Sequence, residues 1–190
     1  MKTTRITILI AAAVISALTV IAQAQDPKIE KKQKEIRNMA QDTLQRLYEA
    51  DPKAQSAVER RAGYAVFSNL GIKILVGGSG NGKGIAVDNK TKRETFMKML
   101  EVQAGLGMGV KKFSVIFIFD NERALDGFVN SGWQLGGQAT AAVKNGDKGA
   151  SMEGAVAVAD GVWMYQLTDK GLALEITAKG TKYYKDDDLN

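Results

Sequence analysis

The chain has 190 residues, of which 45% are hydrophobic and 25% are charged, and its formal net charge is +5. This length and composition are sufficient for one globular domain with a hydrophobic core. Because the sequence contains neither cysteine nor histidine, it excludes disulfides, thiolate or imidazole metal ligands, and every hydrolase mechanism that needs a cysteine nucleophile or a histidine base.

Residues 1–24 have the pattern of a cleavable signal peptide. Lys2 and Arg5 precede an apolar run over residues 6–21, and residues 22–24 (Ala-Gln-Ala) have the small-x-small pattern of a cleavage site. The run is short for a membrane span, although an uncleaved anchor is the alternative. We expect cleavage before Gln25 and a periplasmic or secreted protein, peripheral on a membrane if it binds one. The absence of a cysteine at the cleavage point argues against a lipoprotein anchor, and export argues against nucleic acid and nucleotide partners.

Residues 25–62 are predicted to form two helices. Asp26-Pro27 and Asp51-Pro52 are typical helix starts, because aspartate caps free N–H groups and proline fits the first helical position. The second helix is expected to end near Ala62, before Gly63. One apolar stripe at helical spacing is predicted in the first helix; its members are Ile29, Ile36, Ala40, Leu44 and Leu47.

Residues 63–184 are predicted to form a glycine-rich β domain, because the hydrophobic period changes to two. One helix from about Asn121 to Asn130, capped by Asp120, is expected to interrupt it. Residues 185–190 are expected to be a solvated acidic tail. The predicted strands are 64–67, 72–78, 83–87, 95–110 (one or two strands), 113–119, 133–143, 152–159, 162–167 and 172–178. Turns are predicted at 88–91, 145–149, 160–161 and 169–171.

The short connections predict an α+β fold, with N-terminal helices packed on a curved, mostly antiparallel β-sheet or partial barrel. Phe113–Phe119 is apolar on both faces and is expected to be a central strand. Trp133 and Trp163 are expected in the core. Gln103, with the glycines of Gly105–Gly109, lines one face of a strand. That face is either packed under another element or open as a ligand groove.

Gly77–Gly84 nearly matches a phosphate-binding loop. Gly84 stands where magnesium binding needs a serine or threonine, and a strand rather than a helix is predicted to follow. A hairpin is therefore the preferred interpretation, and no nucleotide is expected. The loop could still offer N–H groups to a phosphate headgroup.

Basic residues are concentrated at the start of the first helix. They oppose the helix dipole slightly, which suggests an external anionic partner. Such a helix can lie on an anionic membrane, or its cations can simply face solvent while its apolar stripe covers the sheet. The candidate lipid-binding residues are Lys28, Ile29, Lys31, Lys32, Lys34, Ile36 and Arg37; the secondary candidates are Arg60, Arg61, Lys83, Lys111 and Lys112.

Paired carboxylates are the remaining route to catalysis. Glu94, Glu101, Glu153 and Glu175 lie on predicted strands, but the simpler interpretation is that each faces outward. Asp186–Asp188 lacks the ligand spacing of a calcium site. We therefore expect no enzyme activity, no metal and no cofactor.

Several segments, in order, resemble the SYLF domain family. Arg61–Asn69 is similar to the family's opening strand, and Gly77–Gly84 to its glycine-rich hairpin. The remaining matches are Gln103–Gly109 with Phe113–Phe119, Gly132–Val143, and Lys170-Gly171-Leu172 followed by Tyr183-Tyr184. The resemblance covers roughly residues 39–184. Two departures are Ser68-Asn69, where the family usually has proline, and Ala-Leu-Glu-Ile after Leu172.

The resemblance implies lipid binding. Eukaryotic members are associated with phosphoinositide membranes through an amphipathic helix, which corresponds here to about residues 28–50, and some are associated with actin. For an exported protein, anionic phospholipid is the expected ligand, and actin is not expected. We therefore predict a non-enzymatic protein that binds phospholipid at a membrane surface in the cell envelope. The alternative is a structural or adaptor protein that binds another envelope protein through a sheet edge or the glycine-rich face.

Overall fold

The structure is a computed structural model, and it describes residues 26–68, 79–102, 113–135, 152–173 and 181–190. Several predictions lie outside the described residues. These are the signal peptide, the strand at 72–78, the glycine row at 103–109, Lys111 with Lys112, the turn at 145–149, and most of the strands predicted at 133–143 and 172–178.

Two helices begin the described chain: α1 (Pro27–Ala50) and α2 (Lys53–Arg60). The predicted cap of α1 is present, since Asp26 Oδ1 accepts the N–H of Lys28 at 2.8 Å. The helix α2 begins one residue later than predicted, with Pro52 at the cap position, and Asp51 Oδ1 accepts the N–H of Lys53 at 3.0 Å. The second helix ends two residues before the expected Ala62, because the backbone is already extended at Arg61.

The strands of the described residues form one sheet in which every pair is antiparallel. The strands are β1 (Gly63–Ser68), β2 (Ser79–Asp88), β3 (Glu94–Val102), β4 (Phe113–Phe119), β5 (Trp133–Leu135), β6 (Val156–Ala159), β7 (Val162–Thr168), β8 (Gly171–Leu172) and β9 (Thr181–Lys185). Their order across the sheet is β5-β9-β3-β2-β1-β4-β7-β6, and β8 also pairs with β7. A third helix, α3 (Glu122–Ser131), connects β4 to β5.

Ring contacts across the sheet show how strongly it curls. The rings of Trp133 on β5 and Phe117 on β4 are 5.4 Å apart between centroids, although β5 and β4 are five positions apart in the sheet. In a flat sheet five strand spacings would separate them by about 24 Å. Phe128 of α3 packs against both rings, at 5.1 and 5.9 Å. The sheet therefore wraps around α3, and its inner face encloses an aromatic core.

Small residues on β2 make room for this core. A side chain at Gly84 would collide with the carbonyl oxygen of Val66 and the ring of Phe67, and one at Gly82 would collide with Met99. The segment that nearly matches a phosphate-binding loop thus lies in a strand of the curled sheet from Ser79 onward, and no helix follows it.

The outer face of the sheet is covered by α1 and α2. The predicted stripe of α1 packs there, buried from Ile36 to Leu47, and Ala54 and Val58 of α2 join the same cluster. The sheet residues beneath them are Val66, Ile85, Phe96, Ile116, Ile118, Tyr165 and Leu167. The predicted α+β fold is confirmed, as is the prediction that Phe113–Phe119 is covered on both faces.

Two local predictions were wrong. The strand expected from Met152 begins at Val156, because Glu153 and Gly154 form a turn whose Glu153 carbonyl accepts the hydroxyl of Tyr165 at 3.1 Å. The cap of α3 is Asn121, which accepts the N–H of Ala124 at 3.0 Å. Asp120 instead pairs with Arg61.

The prediction of a solvated acidic tail was wrong for Asp186 and Leu189, although Asp187 and Asp188 are exposed. Thr181–Lys185 is strand β9, between β3 and β5, and Asp186 and Leu189 are each 3% exposed. The ammonium group of Lys98 lies 2.7 Å from Asp186 and 3.1 Å from Asp188, and the hydrogen bond with Asp186 is the main cause that raises the pKa of Lys98 to about 12. Asp186 and Asp188, whose charges had suggested a solvated tail, therefore bind Lys98 and hold the end of the described chain on the sheet.

Candidate functional site

Four exposed lysines occupy the first turns of α1: Lys28, Lys31, Lys32 and Lys34. None of them forms an ion pair with a carboxylate in the part of the chain that the structure describes. Over residues 26–37, five basic side chains stand against three acidic ones, an excess of two positive charges. The start of α1 is thus a positive surface with free ammonium groups.

The geometry of α1 sets the direction of these groups. At 3.6 residues per turn, Lys31 and Lys34 lie on the side opposite the buried stripe, while Lys28 and Lys32 flank it. All four belong to a helix that stays docked on the sheet. A flat anionic surface could therefore meet Lys31 and Lys34 without any change in the fold.

Arg37 differs from the four lysines. Its Nε donates to Glu94 at 2.7 Å, and its guanidinium group lies 5.1 Å from the centroid of the Phe96 ring. Both contacts hold the side chain against β3. Arg37 contributes positive charge at the site, but part of its hydrogen-bonding capacity is used within the fold.

The two apolar candidates face the sheet. Ile36 is 4% exposed and belongs to the outer cluster, and the partly buried Ile29 packs against the same cluster. The sequence left open whether this stripe enters a membrane or covers the sheet, and in the structure it covers the sheet. The surface offered by docked α1 is therefore mainly electrostatic.

The secondary candidates lie on separate elements. Arg60 is exposed in the last turn of α2, and Lys83 is exposed on β2. Arg61 donates to Asp120 at 2.5 Å, and Asp120 also accepts the indole N–H of Trp163 at 3.0 Å. Arg61 therefore joins α2 to the sheet, whereas Lys111 and Lys112 lie outside the described residues.

The candidate carboxylates are engaged with cations where their side chains are described. Glu94 pairs with Arg37, and Glu153 lies 2.6 Å from the ammonium group of Lys53. The hydrogen bond with Lys53 lowers the pKa of Glu153, opposite to the shift that a general acid needs. The side chains of Glu101 and Glu175 are not among those described. Within the described residues, no group of three or more acidic side chains could hold a metal ion.

A groove that the sequence did not predict lies beside α1, where β3 begins and β9 ends. Its volume is about 370 Å³, and we call it the rim groove. Arg93 and Lys185 are far apart in the chain, and the pairing of β3 with β9 places both in the lining of one groove. No local pattern could have indicated this. The rim groove is lined by Gln33, Arg37, Arg93, Glu94, Thr95, Phe96, Val129, Asn130, Lys185, Leu189 and Asn190.

Among the described helices, none combines the length and the apolar character needed to cross a bilayer. Residues 100–190 match the family model described as "Ysc84: Las17-binding protein actin regulator". Residues 100–190 belong to the SYLF (Ysc84) family. The resemblance predicted from the sequence is thereby confirmed.

A longer relative supports the assignment to the SYLF family. The chain is 31% identical over 156 residues to the protein named Beta cell expansion factor A of Aeromonas veronii. The match covers 81% of this chain and 57% of the relative. The chain thus spans little more than half of that protein. The family model includes β4 to β9, α3 and the Lys185 side of the rim groove, whereas the lysines of α1 precede it.

Proposed function

We propose that this SYLF-family protein is a non-enzymatic lipid-binding protein of the cell envelope. It binds anionic phospholipid at a membrane surface through Lys28, Lys31, Lys32 and Lys34, with Arg37 beside them. The observation that carries the proposal is the set of four exposed ammonium groups with no carboxylate partner among the described residues. The predicted signal peptide supports a periplasmic or secreted location.

The expected binding is reversible and sensitive to salt. Each basic residue close to an anionic surface contributes roughly 1 kcal/mol, so four lysines contribute roughly 4 kcal/mol before repulsion from Glu30 and Glu35. Because Ile36 is buried, insertion of the stripe into the lipid would require α1 to leave the sheet. Docked α1 therefore binds the membrane surface through its positive charge, and this attraction weakens as salt shortens the Debye length.

Vesicle co-sedimentation tests the proposal. The protein without its predicted signal peptide should sediment with phosphatidylglycerol vesicles at low salt, and should sediment with neither phosphatidylcholine vesicles nor any vesicle at 0.5 M salt. The Lys31→Glu/Lys32→Glu/Lys34→Glu variant should lose binding. The matched control Arg123→Glu/Lys170→Glu/Lys182→Glu makes the same change in net charge at exposed sites elsewhere that, like the three lysines, form no ion pair among the described residues. Equal sedimentation of the two variants, or indifference to anionic lipid, would contradict the proposal.

The second candidate is a structural or adaptor role in the envelope. The description of the matched family names Las17 binding, which is a protein interaction. In the described sheet, β5 and β6 end the strand order, so an edge of the sheet is where a partner strand could add. A partner that stays bound to the triple lysine variant after lipid extraction would favour this function. For a protein exported as predicted, we expect no actin binding, and actin co-sedimentation tests this.

A further inference from the structure

Three cations from three different elements line the rim groove. Arg37 comes from α1, Arg93 immediately precedes β3, and Lys185 ends β9, where it pairs with Met97. Glu94 is the one carboxylate side chain among the lining residues. Positive charge therefore exceeds negative side-chain charge in a concave site, which is unlike the open lysine surface of α1.

Two of the three cations are available to a ligand. Arg93 has its nearest carboxylate, Asp126, at 3.8 Å, beyond hydrogen-bond length, and its side chain is 63% exposed. Lys185 has no ion pair among the described residues. Glu94, in contrast, is already bound to Arg37. An incoming anion would meet two cations without displacing a strong ion pair.

Hydrogen bonds fix one wall of the rim groove. The amide of Asn190 accepts the N–H of Phe96 at 3.0 Å and donates to the carbonyl of Phe96 at 2.9 Å. The buried amide of Gln33 donates to the carbonyl of Leu189 at 2.9 Å, which ties this wall to α1. Because these groups are already ordered, a ligand loses little free energy in arranging them.

We propose that the rim groove binds a phosphate ester of a small alcohol. Arg93 and Lys185 bind the phosphate, since a guanidinium group makes paired hydrogen bonds to phosphate oxygens and an ammonium group adds a point charge. The volume lies at the lower end of the range of small-molecule sites, which suits one headgroup and not an acyl chain. The side formed by Phe96 and Leu189, which are 4% and 3% exposed, offers only a narrow apolar edge to the alcohol carbons.

The phosphate ester has two sources, a free metabolite or a lipid headgroup. The headgroup case rests on the proposed function. It is favoured by position, because Lys34 is three residues before Arg37 and therefore neighbours it on the helix surface. Positive charge is then continuous from the lysines of α1 to the rim groove, so that a headgroup could enter the groove while neighbouring lipids contact the lysines.

Two titrations of the Arg93→Gln/Lys185→Gln variant test the inference. When glycerol phosphate is titrated into the wild type, the backbone amide chemical shifts of Asn130 and Asn190 should change. Loss of each cation should weaken binding by about tenfold. The control Lys170→Gln/Lys182→Gln removes the same charge outside the groove and should bind as the wild type does. Equal melting temperatures of the three proteins would show that the fold is intact.

Phosphatidylglycerol vesicles then separate the two sources. Reduced vesicle binding by the groove variant, with unchanged binding by the control, supports headgroup binding. The inference is overturned if the groove variant binds vesicles as the wild type does and the wild type shows no chemical-shift change with glycerol phosphate. That result would not contradict membrane binding by the lysine surface of α1. Glycerol phosphate binding without any vesicle binding supports the groove for a free ester and overturns the proposed membrane function. Equal weakening in the groove variant and the control also overturns the inference, because it would show only a general effect of charge.

Discussion

The two faces of the curled sheet differ in chemistry as well as in packing. The inner face is filled by aromatic and aliphatic side chains around α3, and the residues of its cluster are all uncharged. The outer face is covered by α1, whose apolar stripe is buried while its first turns carry free cations. The helix α1 therefore both completes the core and presents a positively charged surface. Substitutions on the two faces should separate stability from binding.

The largest effect on stability is expected inside the sheet. Phe117 is fully buried and contacts the rings of Phe67, Phe128, Trp133 and Tyr183. Phe117→Ala should lower the free energy of unfolding by about 3–5 kcal/mol, because it removes a large side chain and leaves a cavity. Urea unfolding measures this, with Phe117→Leu as the milder control. A loss below about 1 kcal/mol would show that the rings do not form a closed core.

A somewhat smaller loss is expected where α1 meets the outer face. Leu47 is fully buried there, so Leu47→Ala should cost about 2–5 kcal/mol. The exposed Glu49 on the same helix provides the control, since Glu49→Ala should change the free energy of unfolding by less than about 0.5 kcal/mol. If both variants unfold at the wild-type urea concentration, then α1 is not part of the cooperative core.

Alkaline pH should weaken the junction between α1, α2 and the sheet. Burial, then the negative charge of Asp51, raises the pKa of Tyr165. Because the folded-state pKa exceeds the unfolded value near 10, the contribution is complete below pH 10 and is lost as pH rises above it. The free energy of unfolding measured in urea should therefore fall as the pH rises above about 10, by at most about 1.4 kcal/mol per pH unit from this group. The fall should be less steep in Tyr165→Phe, and identical slopes would exclude Tyr165 as its cause.

The sequence was most informative where a local pattern and a tertiary contact agree. Asp26-Pro27 and the stripe through Leu47 predicted α1, and the unbroken apolar run of Phe113–Phe119 predicted the central strand β4. The cap of α3 could not be chosen in advance, because Asp120 and Asn121 are both good capping residues and only the bonds of Asp120 to Arg61 and Trp163 decide between them.

Long-range pairing accounts for what the sequence did not reveal. Residues 181–185 are a short strand next to an acidic run, and they become β9 because β3 and β5 lie on either side. The pairing of β3 with β9 also places Arg93 and Lys185 in the lining of the rim groove. At the candidate site, the sequence predicted which lysines are grouped, but whether Arg37 is free depends on Glu94, which is distant in the chain.

The smallest effect on stability gives the sharpest test of the outer surface. Lys28 lies in the first turn of α1, where its charge opposes the helix dipole. Lys28→Glu should therefore raise the free energy of unfolding by about 0.3–1 kcal/mol at low salt, while it weakens binding to phosphatidylglycerol vesicles. Lys28→Gln should lie between wild type and Lys28→Glu in both measurements. Opposite signs for stability and binding are expected only if the ammonium group has no favourable partner within the fold. A loss of stability in Lys28→Glu would show that Lys28 is held by the protein itself, and would remove it from the membrane-facing surface.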